Sequence, residues 1–266
     1  MKVFPWLLAA AAFAHGADSF FFIQLTDPQF GMYEENRGFA QETANLEFAV
    51  ATVNRLKPAF VVITGDLVNR PGDPAQVSEY LRIMGLVNER IAVYHLAGNH
   101  DIGGGAAEWR RHFGLDYYTF RAHGMAGFVL NSTLIGKPGD PQEAWLAAEL
   151  EKARGEGITR LMVFTHHPFF LQDPAEKDQY FNVAQPARGR YLELFQRYGV
   201  SHVFAGHYHR NAVARDGGLE MVTTGPIGKP LGAGSRSGLR IVTVSDSGIS
   251  HRWYDLGELP NQVELK

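Results

Sequence analysis

Five apolar runs in this chain have the length and the aromatic or β-branched make-up of strands, and each stops at a short polar cluster. Residues 20–25 lead into Thr26-Asp27-Pro28-Gln29, residues 59–64 into Gly65-Asp66, and residues 91–97 into Gly98-Asn99-His100-Asp101. Residues 161–165 lead into His166-His167-Pro168, and residues 200–205 into Gly206-His207-Tyr208-His209. Clusters placed in this way gather at the ends of neighbouring strands, where groups from distant parts of a chain build one reaction centre.

Helical spacing fills the gaps between the runs. Residues 40–56 repeat Leu46, Ala49, Val50, Val53 and Leu56 at one face and stop before Pro58. Further helices are expected over 74–87, 109–113, 141–154 with Pro141 in the first turn, and 187–198. Residues 117–130 read as a hairpin with a glycine break. Beyond residue 212 the chain is strand-rich, with runs at 219–224, 239–245 and 249–254. With 266 residues and no repeat, linker or charge block, the pattern predicts one α/β domain of stacked sheets with flanking helices. A dinucleotide-binding fold fits less well, because Gly232-Ala233-Gly234 neither follows a strand nor opens a helix.

Composition removes several classes of function. A net charge of -3 and the lack of any basic run give no electrostatic reason to bind nucleic acid or an anionic membrane. With 0 cysteines there is no disulfide, thiolate site or catalytic thiol, so any metal is held by His, Asp, Glu, Asn or Gln. At the N-terminus, Lys2 precedes an apolar stretch that closes at Ala14-His15-Gly16. That stretch, of about 12 residues, is too short for a bilayer span of roughly 20. Residues 1–16 are therefore expected to be a signal peptide, residues 17–266 the mature domain, and the protein secreted or periplasmic with no stable membrane anchor.

Each polar cluster is weak evidence alone. Asp66 suits a helix cap and Asn99 a turn. In strand-like backbone residues i and i+2 share a side, so Asp27 with Gln29, and His207 with His209, would each aim two groups at one place. The glycines before Asp66, Asn99 and His207 are expected to let the backbone turn sharply. The joint occurrence of the clusters, in order, carries the weight.

That order resembles the calcineurin-like metallophosphoesterases, whose pattern runs D-x-H, GD, GNHD, a lone H, then GHxH. More narrowly it is similar to the calcineurin-like phosphoesterase-domain-containing family that includes the "complete" serine/threonine protein phosphatase. Thr26–Gly31, Gly65–Val68, Gly98–Gly103, Tyr180–Asn182, Gly206–Asn211 and Gly238–Arg240 carry the match. The resemblance implies an αββα sandwich of two mixed sheets and a centre of two metal ions, Mn, Fe or Zn. In it Asp66 bridges the ions, Asp27, Gln29 and His209 complete the first site, and Asn99, His166 and His207 the second. It also implies that His100 faces the substrate while Asp101 orients its ring. His167 is then structural.

Gln29 stands where most of the superfamily has His. Its amide oxygen is a weaker and harder donor than imidazole, which favours Mn²⁺ or Mg²⁺ over Zn²⁺ if Gln29 ligates directly. The alternative places Gln29 behind a water. Two metals 3.5–4 Å apart can share a hydroxide and clamp phosphoryl oxygens, and His100 can protonate the leaving alkoxide. The expected function is hydrolysis of phosphate monoesters, with phosphoserine or phosphothreonine among the candidates. A phosphodiesterase and a non-catalytic metal- or phosphate-binding envelope protein are the rivals.

Overall fold

The computed structural model describes residues 19–102 and 105–265. The expected signal peptide over 1–16 lies outside the described residues.

Two sheets meet face to face. The first has the order β11-β10-β1-β2-β3, built from β1 (Phe20–Leu25), β2 (Phe60–Thr64), β3 (Ala92–Leu96), β10 (Gly238–Ser245) and β11 (Gly248–Asp255). Its β1, β2 and β3 run parallel, and β10 joins β1 antiparallel with Phe22 opposite Val242. The second has the order β4-β5-β6-β7-β9-β8, built from β4 (Tyr118–Ala122), β5 (Met125–Val129), β6 (Arg160–Phe164), β7 (His202–Ala205), β8 (Ala212–Asp216) and β9 (Leu219–Thr223). There β5, β6, β7 and β9 are parallel, with antiparallel β4 and β8 at the edges.

The helices explain why the strands read as unbroken apolar runs. Along β1, Phe20 and Phe22 enter a core shared with Phe60, Phe164, Phe204 and Val242, between the sheets. Phe21, Ile23 and Leu25 point the other way, onto α1 (Ala40–Leu56), α2 (Pro74–Met84) and α3 (Ala106–Phe113). The second sheet is covered likewise by α4 (Gln142–Gly155) and α5 (Ala187–Tyr198), through Leu146, Leu150, Tyr191 and Phe195. A strand buried on both faces has no polar side to alternate with.

The sandwich and its element order agree with the sequence reading, with differences at the margins. The second helix stops at Met84, not at residue 87, and the third starts at Ala106, not at 109. Strand β8 is not legible in the sequence as a separate element. It is an exposed edge strand whose Arg215 and Asp216 dilute the apolar signal.

Candidate dinuclear metal centre

The five clusters lie beyond the C-terminal ends of β1, β2, β3, β6 and β7, and backbone hydrogen bonds zip them together. Asp27 N donates to Gly65 O, and Gln29 N to Asp66 O. Gly206 N donates to His166 O, while His207 N donates to the Asp27 carboxylate. The loops after β1 and β2 thus continue the parallel pairing of their strands, ending at a Phe30–Val68 bridge.

Two expectations about these loops are corrected. Asp27, Gln29, His207 and His209 are not strand-like: all have positive φ, between 42° and 65°, as does Asp66. The paired ligands converge because left-handed residues flank a single residue of ordinary conformation, not because of strand alternation. Left-handed backbone costs a residue with a side chain about 1 kcal/mol or more, and such strain concentrates at functional sites. The glycines also divide. Gly65 does turn through positive φ. Gly98 and Gly206 are needed for clearance: a Cβ on Gly98 would overlap the Asp66 carboxylate, and one on Gly206 would overlap Thr26 Oγ1 and Asp27 Oδ2.

Asp66, His166 and His207 offer ligand atoms within 4.8 Å of one another, and so do Asp27, Asp66 and His209. Asp66 is common to both groups, where a bridging carboxylate would have to be. All five are buried. Asn99 joins the second group, its Oδ1 lying 3.1 Å from His166 Nε2.

Hydrogen bonding decides which imidazole nitrogens face inward. His166 Nδ1 lies 2.9 Å from Thr64 O, His207 Nε2 3.2 Å from Tyr180 O, and His209 Nδ1 2.6 Å from Lys229 O. A carbonyl only accepts, so each of these nitrogens carries the hydrogen and the opposite one keeps a lone pair. His166 Nε2 and His207 Nδ1 then face each other at 3.1 Å with lone pairs on both. Only a proton or a cation between them makes that contact favourable.

The titration behaviour agrees. Burial pulls His166 down, but the carboxylate of Asp66, 3.3 Å away, and that of Asp27 hold it up at about 9. Burial and the charge of His166 press His207 down to about 3. Burial opposes ionisation of Asp66 too, yet His166 and the backbone N–H of His100 bring it below the usual carboxylate range. Burial raises Asp27. Without metal, one proton on His166 stands in for a cation.

Gln29 supplies an independent sign that a cation fits. It is buried, its Nε2 donates to Asn69 Oδ1 at 3.1 Å, and its Oε1 has no hydrogen-bond partner among the described residues. A buried amide oxygen left bare costs about 1–3 kcal/mol, which ligation would recover. The donor set of carboxylates, amide oxygens and imidazoles suits hard or borderline metals.

His100 is half-buried at the rim, with Nδ1 2.9 Å from Asn69 O, and its Nε2 has no hydrogen-bond partner among the described residues. Asp101 does not orient that ring, contrary to expectation. Its Oδ1 accepts from Leu67 N and Val68 N, and its Oδ2 from Gly98 N, so the carboxylate ties the loop after β2 to the loop after β3. Burial and nearby Asp66 push its pKa up, while the backbone N–H groups of Gly98 and Val68 favour the ionised carboxylate. His167 is engaged elsewhere, with Nδ1 2.7 Å from Ser132 Oγ.

With this geometry in place, comparison with known proteins is informative. Residues 22–211 match the calcineurin-like phosphoesterase family. The chain belongs to that family. It is similar to the serine/threonine-protein phosphatase CPPED1 of Bos taurus, 38% identical over 90% of this chain and 85% of the relative. Its fold is similar to that of a dimetal phosphatase from Danio rerio, with TM-score 0.63, 16% identity, and 89% and 99% of the two chains covered. It is also similar to the purple acid phosphatase PPD1 of yellow lupin, with TM-score 0.72, 13% identity, and 91% and 52% covered. The protein is thus a metal-dependent phosphoester hydrolase of a family built around two metal ions.

Several supporting roles are not legible in the sequence. Tyr180 contributes a backbone carbonyl to His207, and its exposed ring stands 4.9 Å from that imidazole with its hydroxyl 3.5 Å from Asn99 Nδ2. The loop carrying Tyr180 is clamped by fully buried Arg188, which donates to Pro174 O, Glu176 O, Val183 O and Asp178. Asn211 accepts from Gly225 N and from buried Arg240. Lys229 lies with its ammonium over the Tyr33 ring and near Met32 O.

Proposed function

We propose that the protein hydrolyses phosphate monoesters, phosphoserine and phosphothreonine peptides among them, at a two-metal centre formed by Asp27, Gln29, Asp66, Asn99, His166, His207 and His209. The observation that carries the reading is the set of three imidazoles, each anchored by its outer nitrogen to a carbonyl, with their lone pairs turned onto Asp27 and Asp66. When bound, two metal ions supply a nucleophile from water at neutral pH and offset charge on the phosphoryl oxygens. The chain's own part is to hold those ligands and to keep His100 Nε2 free, with its ring fixed by the Asn69 carbonyl, to meet the ester or its leaving oxygen. Tyr180 makes one wall of the entrance. The neutral oxygen of Gln29 favours Mn²⁺ or Mg²⁺ in the first site. The name of the bovine relative supports the phosphopeptide class.

The test is a panel of p-nitrophenyl phosphate, bis-p-nitrophenyl phosphate and phosphopeptides. It is run on protein reconstituted separately with Mn²⁺, Fe²⁺, Zn²⁺ and Mg²⁺, with His100→Ala as control. A preference for the diester would overturn the monoester reading, and full activity in Asp66→Ala would overturn the two-metal centre. We also propose export, on the strength of the pattern in residues 1–16. N-terminal sequencing of the mature protein checks it, and an intact Met1-Lys2 start would refute it. Among the described residues no helix is long and apolar enough to cross a membrane.

A further inference from the structure

We infer that Gln76, in the first turn of α2, fixes which end of the Gln29 amide faces the metal centre through a relay of side-chain amides. The inference rests on Gln29 being a metal ligand, as proposed above, and adds what makes it one.

The relay is read outward from backbone groups whose polarity cannot change. Asn69 N and Arg70 N both donate to one atom of the Gln76 side chain, at 3.0 and 2.9 Å. That atom must be Oε1, so the other end of Gln76 is Nε2, a donor. It lies 2.9 Å from Asn36, whose facing atom must therefore be Oδ1. The same Asn36 Oδ1 is 2.8 Å from the Asn69 side chain, which must present Nδ2 to it. Asn69 then turns Oδ1 towards Gln29 at 3.1 Å, and Gln29 must answer with Nε2. Only Oε1 of Gln29 is left, and it is the buried oxygen without a partner. Two backbone N–H groups in the loop after β2 therefore decide, three side chains away, that an oxygen and not an NH₂ faces the cation. An amide alone has no such preference, since its two ends are the same shape.

Because polarity is what passes along the relay, one substitution should reverse it and another, of equal charge, should not. In Gln76→Glu the carboxylate still accepts from Asn69 N and Arg70 N but no longer donates to Asn36. Asn36 turns its Nδ2 to the new acceptor, Asn69 follows, and Gln29 is left presenting Nε2 to the metal. In Asn36→Asp either oxygen accepts from Gln76 Nε2 and Asn69 Nδ2 as before, and nothing downstream changes. Both variants add one negative charge near the centre, so electrostatics alone predicts equal and slightly tighter cation binding in both.

The test is calorimetric titration of the metal-free protein with Mn²⁺, which reads ion number and affinity without reference to turnover. Wild type and Asn36→Asp are expected to take up two ions with affinities within about twofold, and Gln76→Glu to hold one while the other weakens about tenfold or more. Asn69→Leu, which removes the acceptor for Gln29 but keeps the backbone carbonyl under His100, is expected to weaken the same ion and stands in if Gln76→Glu folds poorly. Equal titrations of Gln76→Glu and Asn36→Asp would overturn the relay. Gln29→Ala separates the two readings: if it kept both ions at wild-type affinity, Gln29 ligation itself would fail and the relay with it. If only Gln29→Ala lost an ion, ligation would stand and the relay would fall.

Discussion

Replacing Asp101 by Asn distinguishes a ring-orienting carboxylate from one that ties two ligand-bearing loops together. The change keeps size and removes one acceptor. The remaining oxygen can serve Leu67 N and Val68 N, which places the new NH₂ against Gly98 N at a site where the carboxylate oxygen stood 2.8 Å away. One buried N–H is left bare at about 1–3 kcal/mol, and two hydrogen bonds fall from charge-assisted to neutral at about 0.5 kcal/mol each. The sum is about 3 kcal/mol, lost from a joint that lies one residue from both Asp66 and Asn99. Urea unfolding of the metal-free protein should show the midpoint falling by about 1 M for an m-value near 3 kcal/mol/M. Mn²⁺ affinity should fall about tenfold or more, as for other groups that orient ligands. His100 keeps its ring contact, because that partner is the Asn69 carbonyl. A variant of wild-type stability and metal affinity that had lost only kcat would refute this reasoning and restore the ring-orienting role.

Three further outcomes are expected. Uptake of Mn²⁺ at pH 7.5 should release a proton from His166, whose pKa of about 9 keeps it protonated without metal, and affinity should rise as pH approaches 9. Calorimetry in two buffers of different ionisation heat reads this, and identical heats would count against it. Burial lowers His95 from 6.5 to about 4, so the unfolded chain binds the extra proton and stability falls as pH drops from about 6.5 to 4. The loss, up to about 3 kcal/mol, should vanish from the pH profile of unfolding in His95→Phe, and parallel profiles would show that His95 is not responsible. Gly206→Ala should cost about 1–3 kcal/mol and displace Asp27, whereas Gly218→Ala, where a Cβ meets nothing within 4 Å, should be near neutral in a thermal melt. Equal effects would remove the steric reason for Gly206.

The residues that announce themselves in the sequence are those whose chemistry is unusual for their position. Asp27, Asp66, Asn99, His166, His207 and His209 end apolar strands, where a folding chain has no other use for so many ligating side chains, and the strands are legible because helices cover both outer faces. What the sequence hides are roles played by backbone. Tyr180 and Lys229 hold His207 and His209 through carbonyls that every residue possesses, so their side chains carry no trace of the task. Asn36, Asn69 and Gln76 are ordinary loop and helix-start residues until the fold brings them into line. Asp101 is legible as important but not in its role, because its carboxylate accepts from the backbone of two loops and not from the ring of the residue beside it.

The left-handed backbone at Asp27, Gln29, Asp66, His207 and His209 raises the question of what holds five strained residues in place. If ions alone held them, the loops would be expected to relax in the metal-free protein and binding would have to reform them. The hydrogen bonds point the other way. Asp27 N to Gly65 O, Gln29 N to Asp66 O, Gly206 N to His166 O and the three contacts of Asp101 are all made within the protein. Each left-handed turn is thus locked by a neighbouring loop that is itself the end of a core strand. Burial of Phe22, Phe60, Phe164 and Phe204 between the sheets, not metal, supplies the free energy that keeps the ligands poised. Metal should therefore raise stability only by mass action, in proportion to the logarithm of its concentration above Kd, and the metal-free protein should still unfold cooperatively.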